Sequence, residues 1–252
     1  MADADPKLAA TADAGMMPAH PHDSARLHVS GTARYIDDEP EPAGLLHLVF
    51  GLSEHAHGRI TALDLDAVRK AEGVVAVLTA ADIPGANDIS PIADDDRLLA
   101  DGEVIWRGQP VYLVAAETRD QARRAARLGK ITIEPLPALI TIGQAQHAAS
   151  EIEPCQRMAR GDADAALAAA PHRLSGTLAM GGQDHFYLEG QIAAAWPHED
   201  GQIHVQSSTQ HPSEVQHIVA HLLNLPSADV TVEVRRMGGA FGGKESQASL
   251  YA

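Results

Sequence analysis

The stretch that most restricts what this chain can fold into is a run of glycines set between a strand pattern and a possible helix opening. Val230, Val232 and Val234 alternate with Thr231, Glu233 and Arg235, the period of a half-buried strand. Arg235-Arg236-Met237-Gly238-Gly239-Ala240-Phe241-Gly242-Gly243-Lys244-Glu245 follows, and residues 246–251 can open a helix. Glycines let the main chain approach a ligand closely and adopt φ > 0, and a helix N-terminus adds partial positive charge. Two arginines before the loop and a lysine after it point to an anionic ligand.

Gly238-x-x-x-x-Gly243-Lys244 matches the first seven positions of a phosphate-binding P-loop, whose eighth position needs Ser or Thr to hold magnesium. Here that position is Glu245, a carboxylate facing the phosphates with no hydroxyl to offer. A P-loop nucleotide-binding protein is therefore the remote alternative, and a glycine turn without ligand is the bland one.

Upstream, residues 1–20 are rich in Ala and Asp without periodicity, a tail. Strand patterns at 45–52 and 59–65 lead into a short helix at 66–72, which Gly73 ends. Residues 74–78 form a buried strand, and a turn of helix from Thr79 stops at Pro84-Gly85. The segment 85–102, with Asp94-Asp95-Asp96, reads as a solvated loop; it lacks the alternating ligands and distal Glu of a calcium site. A strong strand at 111–116 precedes a helix capped by Thr118 and running to Gly129, whose Arg119, Arg123, Arg124 and Arg127 make a solvated face or a stripe for an acidic partner. Ile131, Ile133 and Leu136 close this mixed α/β region as a strand. Beyond a connector with a helix at 162–170, alternation at 185–196 and 202–207 predicts a hairpin turning at 197–201. Pro212 suits a first helical position, and Val215, Ile218, Val219, Leu222 and Leu223 give that helix one apolar face.

With 19 basic and 34 acidic side chains, the net charge of −15 disfavours nucleic acid and anionic membrane as partners. The single cysteine, Cys155, forms no internal disulfide and has no His or Cys at metal or redox spacing. No secretory signal or membrane-spanning run is visible, so the expected location is the cytoplasm. His217 and His221 stand one helical turn apart but lack a third ligand and an intervening glutamate for zinc. Ser207 and Ser208 near His211 lack a nucleophile elbow. Gln210, at a strand end before a helix, is either a turn residue satisfying the cap or an amide donor to an oxygen of a ligand.

The glycine run, together with Gly181-Gly182-Gln183-Asp184-His185-Phe186-Tyr187-Leu188-Glu189 and Ser207-Ser208-Thr209-Gln210-His211-Pro212, resembles the molybdopterin-binding subunit of the xanthine dehydrogenase family. Pro21-His22-Asp23-Ser24-Ala25 and Gly31-Thr32-Ala33-Arg34-Tyr35-Ile36-Asp37-Asp38 extend the similarity over nearly the whole chain. The resemblance implies an α+β fold: an N-terminal mixed α/β hammerhead-type domain, then the beginning of an α+β molybdenum-cofactor-binding domain. The expected layout is a tail at 1–24, the hammerhead-like domain at 25–140, a connector at 141–172 and the start of the cofactor domain at 173–252. Subunits of the family continue further, so truncation is expected at Ala252.

The same resemblance implies site residues. Gln210 hydrogen-bonds an oxygen ligand of molybdenum, Phe241 sits over the metal, and Gly239 and Gly242 permit that backbone approach. Glu245 contacts the purine, desolvated in its pocket; aldehyde-oxidising relatives tend to be apolar there. Gln183, Asp184, His185 and Glu189 have only motif membership, with structural support as their role. No catalytic residue lies within the chain, the base being expected downstream. The implied reaction is hydroxylation of hypoxanthine or xanthine with water as oxygen source, using molybdenum-molybdopterin here and 2Fe-2S, FAD and NAD on a partner subunit. The alternative is a non-catalytic folding and docking fragment. Ala240 departs from the family's usual glycine, at a cost of about 1 kcal/mol if that position needs φ > 0.

Overall fold

A computed structural model describes residues 22–91, 96–250 and 252 of the chain. The expected tail at 1–20, and Asp94 and Asp95 of the acidic triplet, lie outside the described residues.

The first region holds six strands: β1 (His47–Leu52), β2 (Gly58–Asp64), β3 (Val74–Thr79), β4 (Glu103–Val104), β5 (Pro110–Ala116) and β6 (Lys130–Pro135). They form two antiparallel three-stranded sheets, in the orders β1-β5-β3 and β4-β2-β6. The near-continuous apolar run of β5 is explained by its central place, since only Leu113 among its residues escapes full burial. Helices α1 (Ala25–Ser30), α2 (Asp66–Arg69) and α3 (Arg119–Ala125) accompany the sheets. Thr118 caps α3 by accepting from the Gln121 N–H, and Ala122 and Ala125 bury its small face. The arginines at 119, 123, 124 and 127 stay on the exposed side.

Tyr112 fixes the packing of this core. Its ring is 1% exposed and its hydroxyl donates to the Ala126 carbonyl at 2.6 Å, tying β5 to the end of α3. A Cβ placed on Gly51 would lie 2.0 Å from Tyr112 Cζ, so β1 needs glycine there for the ring to fit. Gly51→Ala should therefore overpack the site and lower stability by about 1–3 kcal/mol, measured as a shift in the urea midpoint at constant slope.

The second region contains α4 (Ile142–His147), α5 (Ala163–Ala169), β7 (Ala193–Pro197), β8 (Ile203–Ser207), α6 (Pro212–Leu223) and β9 (Val230–Glu233). β7 and β8 make the expected hairpin, and β9 joins β8 in parallel through the α6 crossover. Pro212 does occupy the start of α6, and Val215, Val219, Ala220 and Leu222 are buried against the sheet. Asn224 ends the helix in the left-handed region at φ 55°.

Three expectations change. The first hairpin strand is limited to 193–197: residues 185–191 do not join it, because the Glu189 N–H goes instead to the Gly238 carbonyl and Phe186 takes a φ of 50°. The helix expected after the glycine run is one 3-10 turn, Ala248–Leu250. The loop at 85–102 is not simply solvated, since Ile89, Leu99 and Ala100 are buried. Ile89, with Ile83 and Leu98, packs among Val205, Val215, Val219, Leu222 and Val230 of the second region. The Gly85 N–H donates to the Leu222 carbonyl at 2.8 Å, and Gln247 Nε2 donates to Asp96, so this loop clasps the two regions together.

Candidate functional site

β8 ends at Ser207; Ser207, Ser208 and Thr209 are all buried, and the chain surfaces at Gln210. Thr209 Oγ1 accepts the His211 N–H at 3.0 Å, which helps turn the backbone into α6. The Gln210 N–H donates to the Lys244 carbonyl at 2.8 Å. Its side-chain carbonyl accepts the Gly242 N–H at 2.9 Å and, more weakly, the Lys244 N–H at 3.4 Å. Two N–H donors on one amide atom fix which end is oxygen. The Gln210 amide nitrogen is thereby left without a partner among the described residues, on an exposed side chain.

The glycine loop meets that amide from the other side. Gly239 and Gly242 take φ values of 99° and 94°, accessible to glycine at little cost. Phe241 between them is at φ 54°, a strained conformation for an aromatic residue, and its ring is 73% exposed. Ala240 is buried and outside the positive-φ residues, so the cost anticipated for a methyl there does not arise. Glu245 follows on the exposed surface, its N–H on the Gly242 carbonyl at 3.4 Å. The structure thus brings Gln210, Gly239, Phe241, Gly242 and Glu245 to one loop cluster. Glu245 is exposed, with no residue among those described covering its carboxylate.

Lys244 also departs from expectation. Instead of facing an anion its ammonium is fully buried beneath the loop, 3.0 Å from Glu189 Oε2 and 2.8 Å from Ser208 Oγ. Its third hydrogen has the face of Tyr187, 4.8 Å from the ring centroid. Glu189 Oε2 accepts from the Gly238 N–H at 2.8 Å and from the Ser208 hydroxyl at 2.5 Å as well. Burial pushes this carboxyl up, but the Gly238 N–H, the Ser208 hydroxyl and the Lys244 ammonium together outweigh it and hold it below the ordinary carboxylate range. Ser208 is therefore a structural hydroxyl with no access to solvent. A lysine whose charge is neutralised inside the fold cannot cradle phosphate, which removes the P-loop reading.

Of the two arginines before the loop, Arg235 is exposed, while Arg236 turns inward. Its guanidinium donates to the Arg34 carbonyl and stands 6.0 Å from the Tyr35 ring centroid, binding the loop to the early segment at 31–38. Gln191, which sequence reasoning passed over, donates to both the Tyr187 hydroxyl and the Gly243 carbonyl at 3.0 Å. Gln183 and Asp184 are exposed, and no hydrogen bond from either reaches the loop. His217 and His221 are exposed, and no cluster of three or more metal-ligating side chains exists among the described residues. No helix among them is long and apolar enough to cross a membrane.

Two small antiparallel sheets clasped to a β-β-α-β unit that presents paired loops make up an α+β protein. The model of the aldehyde oxidase and xanthine dehydrogenase a/b hammerhead domain matches residues 30–137, and that of the molybdopterin cofactor-binding domain matches residues 145–252. The chain belongs to the xanthine dehydrogenase family and carries its hammerhead domain followed by the start of the molybdenum-cofactor-binding domain. It is 38% identical over 235 residues to xanthine dehydrogenase of Oryza sativa subsp. japonica, and 39% over 233 residues to xanthine dehydrogenase/oxidase of Mus musculus. Each alignment covers 92% of this chain but 17% of the relative. Among solved structures, aldehyde oxidoreductase of Desulfovibrio gigas superposes with a TM-score of 0.79 at 26% identity, covering 92% of this chain and 28% of that one. Quinoline 2-oxidoreductase of Pseudomonas putida 86 gives 0.75 at 26% identity, over 88% and 30% of the two chains.

Proposed function

We propose that the whole protein is a xanthine dehydrogenase, hydroxylating hypoxanthine or xanthine with oxygen from water and passing electrons through 2Fe-2S and FAD on a partner subunit to NAD. The observation that carries the reading is the Gln210 amide. Its carbonyl is engaged by the glycine loop, and its NH2 group, on an exposed side chain, has no partner among the described residues. That geometry fits a donor to an oxygen of a molybdenum cofactor, with Gly239 and Gly242 keeping the backbone low enough for the group to approach. When bound, the cofactor supplies the oxygen transfer and takes up the electron pair. This chain's residues bind and orient. Gln210 donates a hydrogen bond, Phe241 closes one wall against water, and Glu245 is the recognition carboxylate for the purine ring, covered only when the rest of the protein is present.

Glu245→Ala in the full-length protein tests the substrate assignment. Loss of a hydrogen bond to a charged group predicts a fall in xanthine kcat/KM of roughly 10- to 100-fold with molybdenum and pterin content retained. Unchanged purine turnover would remove Glu245 from that role, and metal-free protein would make it part of the cofactor site instead.

A second reading, that this chain alone is a non-catalytic docking segment, is favoured by the apolar side chains standing free between 150 and 190. Ile152 and Met158 are 100% exposed and Leu188 90%. Stoichiometric molybdenum with xanthine-dependent NADH formation by the 252-residue chain alone would contradict it.

A further inference from the structure

We propose that Lys244 is a positioning residue whose buried ion pair with Glu189 sets the pose of the Gln210 amide. The inference rests on the proposed function for what that amide serves, but its geometry stands within this chain.

Lys244 is tied at both ends. Its ammonium is held by Glu189 and Ser208, while its main-chain carbonyl accepts the Gln210 N–H at 2.8 Å and its main-chain N–H donates to the Gln210 side-chain carbonyl at 3.4 Å. One oxygen, Glu189 Oε2, takes hydrogen bonds from Gly238 at the start of the loop, from Lys244 at its end and from Ser208 at the end of β8. Three chain segments thus meet at one carboxylate atom directly behind the residue that presents the donor. Net stability is a poor reason for such a pair, because charged groups buried together often gain nothing over apolar replacements of similar volume. What an ion pair supplies that a hydrocarbon does not is fixed distance and direction, through short charge-assisted hydrogen bonds. Glu189 Oε1, buried without a partner among the described residues, shows that the carboxylate is turned to suit the three donors on Oε2 at the expense of its other oxygen. Neutralising both partners should accordingly preserve the fold and release the loop.

The test uses Lys244→Met/Glu189→Gln, first in this chain by hydrogen exchange corrected for intrinsic rates. The Gln210 and Gly242 N–H groups, bonded to the Lys244 carbonyl and the Gln210 side chain, should exchange at least tenfold faster, with Val205 and Val114 unchanged. Ser208→Ala, which keeps the ion pair and removes one anchor, should speed the same two amides about threefold. Unchanged exchange at Gln210 and Gly242, or uniform acceleration through β8 and α6, would overturn the proposal. In the molybdenum-loaded full-length protein, the neutral pair should shift the Mo(V) electron paramagnetic resonance g-values in the same sense as Gln210→Ala. Adding Gln210→Ala to the neutral pair should then change them little; additive shifts would mean that Lys244 does not act through Gln210. Full-length protein devoid of molybdenum would defeat the proposed function while leaving the exchange result to decide this one.

Discussion

Gln210→Ala in the full-length protein is expected to reduce xanthine turnover about 100- to 1,000-fold in kcat, the scale on which removal of a single preorganised donor acts. KM should move little, since the lost contact is to the cofactor and not to the purine. The substitution also deletes the carbonyl that accepts the Gly242 N–H, so a slack loop would produce a similar loss for a different reason. Gln210→Glu separates the two. It keeps an oxygen for Gly242 and Lys244 while replacing the outward NH2 with a second acceptor. If donation is what matters, Gln210→Glu will be as impaired as Gln210→Ala with molybdenum and pterin still bound. Near-normal turnover in Gln210→Glu would mean that the residue serves only to hold the loop.

How far such a site can be read from sequence depends on whether its parts are local. The glycine run, the Gln210 turn and the apolar face of α6 each lie within a few residues, and each carries its own chemistry: φ > 0, a free amide, a helical period. The partners of the buried charges are not local. Nothing near Lys244 says that Glu189, 55 residues earlier, will meet it, and a lysine after glycines reads as an anion ligand on composition alone. The same blindness explains the strand expected at 185–192: His185, Tyr187 and Glu189 alternate as strand residues do, yet Tyr187 and Glu189 are spent on Lys244 and Gly238. Acidic residues concealed the role of the loop at 85–102 in a comparable way. Asp88 and Asp96 suggest solvation, whereas Ile89 between them and Leu98 just after them pack in the core of the other region. Tertiary demand overrides local pattern wherever one segment must be sealed against another.

The buried pair also makes the largest stability prediction. Lys244→Met alone strips the cation and leaves Glu189 with the Gly238 N–H and the Ser208 hydroxyl in a largely enclosed site. Breaking a buried pair on one side costs about 3–5 kcal/mol, a large part of an ordinary domain's stability, whereas the doubly neutral variant should recover most of it. The sign of the pH dependence distinguishes this from a packing defect. In the parent chain the Glu189 carboxyl is held below its unfolded value; its contribution is present above that value and is lost as pH falls through the folded pKa. In Lys244→Met the ammonium is gone while burial and the Gly238 and Ser208 hydrogen bonds remain, so the folded carboxyl should move up toward its unfolded value. Stability of the variant should then lose less than that of the parent as pH falls through and below the ordinary carboxylate range. Urea midpoints measured from pH 7 downward would show the two curves converging. Parallel curves would mean that Glu189 is not the group left unpaired, and the destabilisation would have to be assigned to the missing contact with the Tyr187 ring.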